Sequence, residues 1–212
     1  VDILVKKGNQ IDLIEVKAKS WPPSKSAGLI GVRGGINADF RPKIADLAFQ
    51  KYVLSGAYPD WEISPSFLFA NKTSTCPTDG LNQKFRIKKE NGRRQCAVEG
   101  EVTDRDKDPW ILCLVPADEA CEKLADEMDP YDGIRTFDDH ILFLSKHYDR
   151  DEKVAARVSV ECGKCEFKAK PEDLTAGKKS GMHECWREAL GWSDAEIDEQ
   201  NVLNISAFMK KN

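Results

Sequence analysis

The strongest limit on what this chain can fold into lies at its beginning. VDILVKKGNQIDLIEVKAKS, residues 1–20, alternates apolar and polar side chains on both sides of Gly8-Asn9. A period of two sends successive side chains to opposite faces, so each arm reads as a half-buried strand and the pair as a β-hairpin. Trp21-Pro22-Pro23 then stops the second arm, because proline donates nothing to a strand ladder.

Glu15 and Lys17 are two apart on that second arm, hence on one face and about 6.5–7 Å apart along it. With a two-residue loop, Lys7 pairs with Gln10, and counting back sets Asp2 opposite Glu15. Directly opposed like charges destabilise a sheet unless something compensates them. A hard cation such as Mg²⁺ would do so, since it takes one or two protein carboxylates together with water and phosphate oxygens. A three-residue loop would shift the register by one and send Asp2 to the other face. Glu-x-Lys is also commonplace on an exposed strand, and the letters leave these readings open.

Residues 27–37, AGLIGVRGGIN, form a glycine-rich surface excursion whose spacing does not match a phosphate-binding loop. PKIADLAFQKYVLS, residues 42–55, has helical periodicity. Ile44, Leu47, Ala48 and Leu54 make one apolar stripe, with Pro42 near the start and Gly56 at the end. Gln50 falls within that stripe, where a buried amide needs partners, either in the core or at the charged end of a site. PSFLFANK, residues 65–72, is a short, largely buried strand, so the order strand, strand, helix, strand predicts an α/β core. Residues 83–103 form a second hairpin around Asn91-Gly92. Lys84, Arg86, Lys88, Lys89, Arg93 and Arg94 make it the most basic stretch, either a solvated ribbon or a contact to a nucleic-acid backbone. Residues 117–128 and 137–149 read as amphipathic helices.

With 41% hydrophobic residues among 212, the chain can fill a sizeable core. A net charge of −4 and a pI near 5.5 argue against a protein that coats nucleic acid along its whole surface, while permitting a local basic groove. No apolar run of membrane-spanning length and no secretory signal is visible, so a soluble, cytoplasmic protein without a membrane partner is expected. Val1 already falls within a strand pattern, so further residues and further domains are expected upstream.

These residues carry a resemblance. VDILVKKGNQIDLIEVKAKS followed by DLAFQKYVLSGA is similar to the PD-(D/E)XK nuclease superfamily, in particular its RecB-like exonuclease branch. The resemblance implies a restriction-endonuclease-like core, a central mixed β-sheet flanked by helices, over residues 1–150. It also implies a metal-dependent DNA nuclease, an exonuclease, that hydrolyses phosphodiester bonds. Asp2, Glu15 and the backbone carbonyl of Val16 would hold Mg²⁺ or Mn²⁺. Lys17 would orient the attacking water or stabilise charge on the phosphorus. Gln50 and Tyr52 would correspond to the motif of the following helix, although the branch often has its tyrosine four residues after the glutamine rather than two. DNA is the implied partner, with Lys84, Arg86, Lys88, Arg93, Arg94 and Tyr52 as candidate contacts.

Residues 151–212 read as a small module held by cysteines. The chain has seven cysteines, an odd number that favours reduced thiols over a disulfide framework. Cys76, Cys96, Cys113 and Cys121 occur singly and read as structural. Cys162 and Cys165 have the Cx2C spacing that grips one metal centre, and Cys185 follows within SGMHECW. In the RecB-like branch and the related CRISPR-associated exonucleases a [4Fe-4S] cluster is held by three such cysteines and one before the core, which here would lie upstream of Val1. Those proteins usually have a shorter spacing to the last cysteine. The other solution is a Zn²⁺ site in which His183 joins Cys162, Cys165 and Cys185, on a non-catalytic nucleic-acid-binding module of the same fold.

Overall fold

In the computed structural model, β1 (Ile3–Lys7) and β2 (Gln10–Trp21) form the antiparallel hairpin, and Lys7 pairs with Gln10 across Gly8-Asn9. Gly8 has φ 64°, a left-handed value that glycine adopts without steric cost. The loop therefore has two residues, and the register runs unbroken to Ile3 opposite Ile14. The structure describes residues 2–21, 28–128 and 133–201. Val1, Pro22, Pro23 and Ala27, on which parts of the strand and loop expectations fall, lie outside the described residues.

The chain divides into two compact units, residues 1–141 and 142–212. In the first, α1 (Arg41–Ala57) carries the backbone from β2 to β3 (Glu62–Asn71), which lies parallel to β2. A parallel pair needs a crossover of this kind. Pro42 stands in the first turn of α1, where its missing N–H leaves no helical bond unmade. Ile44, Leu47 and Ala48 follow at helical spacing and are buried with Ile11 and Leu13 of β2 and Phe67 and Phe69 of β3.

Two further strands, β4 (Phe85–Glu90) and β5 (Arg93–Val98), form a separate antiparallel hairpin, and β6 (Leu112–Pro116) adds antiparallel to β3. The main sheet thus has the order β1-β2-β3-β6 and is mixed. Strand β6 was not expected. Its residues belong to an apolar run between Pro109 and Pro116 that lacks the alternation by which a half-buried strand is recognised. Next comes α2 (Asp118–Asp126), which buries Ala120, Cys121 and Leu124 in the same core as α1. Helix α3 (Phe137–Asp149) spans the residues its periodicity marks, with Phe137 packed against that core. The opposite face of the sheet leaves Val16, Leu112 and Leu114 exposed. Among the described residues no helix is long and apolar enough to cross a membrane.

The second unit begins within α3 rather than after its C-terminal end, where the sequence places the boundary. It contains a 3₁₀ turn at Val160–Lys164, α4 (Pro171–Thr175), α5 (Gly181–Leu190) and α6 (Asp194–Asp198). Among the described residues its core consists of Met182, Trp186 and Ile197, with Val158, Cys162 and Cys165 packed around them. Gly181 opens α5 hard against Phe167, where an added Cβ would come within 2.9 Å of the Phe167 Cβ.

The base of the β4–β5 hairpin is tied by a buried carboxylate. Asp106 accepts from Lys84 Nζ at 2.8 Å and from the Thr103 N–H at 2.7 Å. The Lys84 ammonium, and after it the Thr103 N–H, hold the Asp106 carboxyl well below the usual carboxylate range. A carboxyl that binds protons less readily folded than unfolded stabilises the fold above its unfolded pKa of about 3.9, and loses that contribution as pH falls further. Asp106→Asn should therefore be less stable than wild type at neutral pH. The gap should close progressively below about pH 4, measured by urea unfolding across a pH series.

Candidate active site

The inward face of β2 begins as Ile11 and Leu13 and, by the same period of two, continues into Glu15 and Lys17. Glu15 is 8% exposed, which removes the ordinary reading of an open strand face. A carboxylate taken out of water must be paired or hydrogen-bonded. Lys17 Nζ lies 2.8 Å from Glu15 Oε1 and 3.6 Å from Asp46 Oδ2. Gln50, on the face of α1 above the strand, donates from Nε2 to Asp46 Oδ1 at 3.1 Å, with a longer contact of 3.4 Å to Glu15 Oε2.

Those two carboxylates fix which way the Gln50 amide points. Its Oε1 is consequently buried without a hydrogen-bond partner among the described residues. A buried acceptor left in this way is costly and calls for a donor or a cation.

Asp2 lies just before β1. Continued one residue past Ile3 and Ile14, the register sets it opposite Glu15, and its exposed side chain accepts through Oδ2 from the Val16 N–H at 2.8 Å. The carboxylate thus takes an N–H just beyond the last β1 pairing. Val16 enters the site through this N–H, whereas the expectation concerned its carbonyl. Strand β2 then bulges: Val16 pairs with Leu68 and Ser20 with Ala70, so Lys17, Ala18 and Lys19 stand against Phe69 alone. Bulges re-aim side chains and are frequent beside active sites.

Burial by itself would lower the Lys17 pKa, but the hydrogen bond and charge of Glu15, with the charge of Asp46, together move it upward. Lys17 is therefore cationic throughout the neutral range. Its stabilising effect holds below the unfolded lysine pKa of about 10.4 and is lost as pH rises through the higher folded value.

While Asp2 is exposed and bonded to the backbone of Val16, the arrangement brings Glu15, Lys17 and Gln50 together and adds Asp46, which the sequence does not single out. Its signal was local, a carboxylate one helical turn before Gln50 and on the same face of α1. Tyr52 is turned elsewhere: two residues past Gln50, it lines a cavity of about 570 Å³ between α1, α2 and the start of α3. Of the basic candidates, Lys84 is engaged by Asp106, while Arg86 and Lys88 both pair with Glu99, at 3.3 and 3.6 Å. Arg93 and Arg94 are exposed.

Among the described residues no three His, Cys, Asp or Glu side chains gather closely enough to form a metal-binding cluster. Mg²⁺ or Mn²⁺ needs only one or two protein carboxylates, so the hard oxygen donors of Asp2 and Glu15 suit either ion. In the second unit Cys162 and Cys165 are half-buried against Met182, Trp186 and Ile197, and Cys162 Sγ accepts from the Ser159 N–H at 3.4 Å. Donors to sulfur of this kind accompany metal-bound thiolates. Cys185 is exposed on α5. His183 faces carboxylates: Nε2 is 3.0 Å from Asp198 Oδ1, and Nδ1 is 3.7 Å from Asp194 Oδ1. Cys121 is a buried thiol pushed up to about 12 by desolvation, in keeping with a structural role.

No family model matches the chain, nor does any curated protein or solved structure.

Lys17→Met should leave the Glu15 carboxylate short of a partner and cost about 1–3 kcal/mol in urea unfolding followed by circular dichroism. Glu15→Gln on that background should recover part of the loss, so the two substitutions should couple rather than add.

Proposed function

We propose that the first unit is a metal-dependent DNA nuclease domain, an exonuclease with a restriction-endonuclease-like core. The observation that carries this reading is the burial of Glu15 beside Lys17, with Gln50 above and the exposed Asp2 bonded to the next backbone N–H, that of Val16. A structural ion pair would need only Glu15 and Lys17. The gathering of Glu15, Lys17, Asp46 and Gln50 at one end of a core strand suits a site where charge must be managed.

Asp2 and Glu15 would hold Mg²⁺ or Mn²⁺, which when bound supplies a nucleophilic hydroxide and neutralises charge on the scissile phosphate. Lys17 places a fixed positive charge beside the carboxylate, where negative charge grows on the transferring phosphoryl group. Gln50 anchors Glu15 and Asp46 through its Nε2, and its Oε1 is left to accept from a water or another donor. Asp46 shares the Lys17 ammonium and so limits the rotamers open to it. The β2 bulge aims Lys17.

The second unit would hold a metal centre through Cys162, Cys165 and Cys185. Among the described residues its core has three buried apolar side chains, a small core of the kind that small folds commonly supplement with a metal. The resemblance of the sequence to the RecB-like exonucleases favours the [4Fe-4S] cluster over Cys3His zinc, since a carboxylate on His183 accompanies a metal-bound and a metal-free imidazole alike. Absorption near 400 nm and iron in anaerobically purified protein are expected. A colourless preparation with stoichiometric zinc would reverse that choice.

Purified protein should degrade labelled DNA in Mg²⁺ or Mn²⁺ and not in EDTA. Glu15→Gln and Lys17→Ala should each slow the reaction by about 10²–10³-fold, the scale of removing one electrostatic stabiliser, while DNA binding persists. If the wild-type protein cuts neither single- nor double-stranded DNA with either metal, the proposal is wrong.

A further inference from the structure

The β4–β5 hairpin is a two-stranded ribbon of its own, and nearly every residue in it is exposed. A ribbon with so little packed against it is marginally stable alone. Its turn, Asn91 at φ 50° and Gly92 at φ 79°, fixes the register by placing both central residues in the left-handed region. That register sorts the side chains into two unlike faces.

One face carries Arg86, Lys88 and Glu90 against Ala97, Gln95 and Arg93. Its charges are balanced, because Arg86 and Lys88 share Glu99 and Arg93 stands opposite Glu90. The other face begins with Phe85 opposite Val98 and Ile87 opposite Cys96, and ends with Lys89 directly opposite Arg94. Its apolar side chains are open to solvent, Ile87 at 77% and Val98 at 53%. Among the described residues neither Lys89 nor Arg94 has an acidic partner. Two cations opposed across a ladder sit about 5 Å apart at Cβ and repel each other, so this face bears a cost that a bound anion would remove.

We infer that the Phe85, Ile87, Lys89 and Arg94 face binds single-stranded DNA. This inference rests on the nucleic-acid substrate of the proposed function and adds the strand form and the contacts. Lys89 and Arg94 together take phosphate, as their unneutralised charge requires. Phe85 and Ile87 meet bases, and this points to a single strand. A duplex keeps its base faces stacked inside, whereas an unpaired strand can lay them on an aromatic or apolar side chain. The contacts therefore differ from those named by the basic sequence run: Lys84, Arg86 and Lys88 are occupied by acids of the protein itself.

The test is fluorescence anisotropy of the full chain in EDTA, where no turnover occurs, with labelled oligothymidylate and a mixed-sequence duplex across a salt series. Lys89→Gln with Arg94→Gln removes the repulsion, so the hairpin gains stability and any weakening of binding is not due to unfolding. This double variant should bind oligothymidylate about tenfold more weakly, and its salt dependence should fall by about 1.4 in log–log slope, about 0.7 for each phosphate no longer neutralised. Phe85→Leu, which keeps the face apolar, should weaken binding about fivefold or more by removing one stacking platform. Arg86→Gln with Lys88→Gln makes the same charge change on the balanced face and should stay within about twofold. Equal weakening by the two double variants, or none by Lys89→Gln with Arg94→Gln, would overturn the inference. So would self-association that Phe85→Leu abolishes while DNA binding is intact. Face-dependent binding without cleavage would keep the hairpin assignment and remove the nuclease. Cleavage with KM unaltered by Lys89→Gln and Arg94→Gln would do the reverse.

Discussion

A carboxylate on the inward side of a core strand is the constraint from which the rest of the first unit follows. Strand β2 lies between β1 and β3, so whatever falls on the parity of Ile11 and Leu13 is carried beneath α1. Glu15 has that parity. It has to be compensated, and the compensation comes from two directions, Lys17 two residues along the strand and Gln50 from the helix, both of which Asp46 shares as a second acceptor. The two-residue turn at Gly8-Asn9 matters because one more loop residue would reverse the parity of β1 relative to β2 and turn Asp2 to the far face.

The bulge at Lys17–Lys19 needs support if it is to aim a side chain reproducibly. Ladder pairs flank it, Val16 with Leu68 before it and Ser20 with Ala70 after it. Beyond the second of these, Trp21 stacks on Phe69 with ring centroids 5.1 Å apart, and Phe40 meets both rings. Aromatic packing of this kind adds to the burial term, and here it holds the end of β2 that the bulge would otherwise loosen. Residues around a site are most useful when their own positions are set by packing.

Much of this could be read from the letters because it depends on short-range periodicity. The β1–β2 hairpin, helix α1 with Ile44, Leu47 and Ala48 inward, and the Asn91-Gly92 ribbon all announce themselves within a few residues. Strand β6 does not, because a short apolar run between prolines has no alternation, and its place beside β3 is decided by pairing across more than forty residues. Asp46 escapes notice for a related reason. Its place in the site depends on how α1 sits over β2, which is a matter of packing. Tyr52 shows the converse: a motif position near Gln50 in sequence lies about 200° around the helix from it, at 100° per residue, and so on another face.

The same parity argument governs the basic ribbon. Six cations in residues 84–94 look like one electropositive patch, yet Lys84 is bound by Asp106, and Arg86 and Lys88 share Glu99. Arg93 stands opposite Glu90, so only Lys89 and Arg94 oppose each other with no acid between them. In a chain with net charge −4 a positive surface has to be local. It is local here because alternation assigns each charge to a face and the hairpin register then chooses its neighbour. Counting lysines and arginines measures the charge present; the ladder determines which of it is free to act on a ligand.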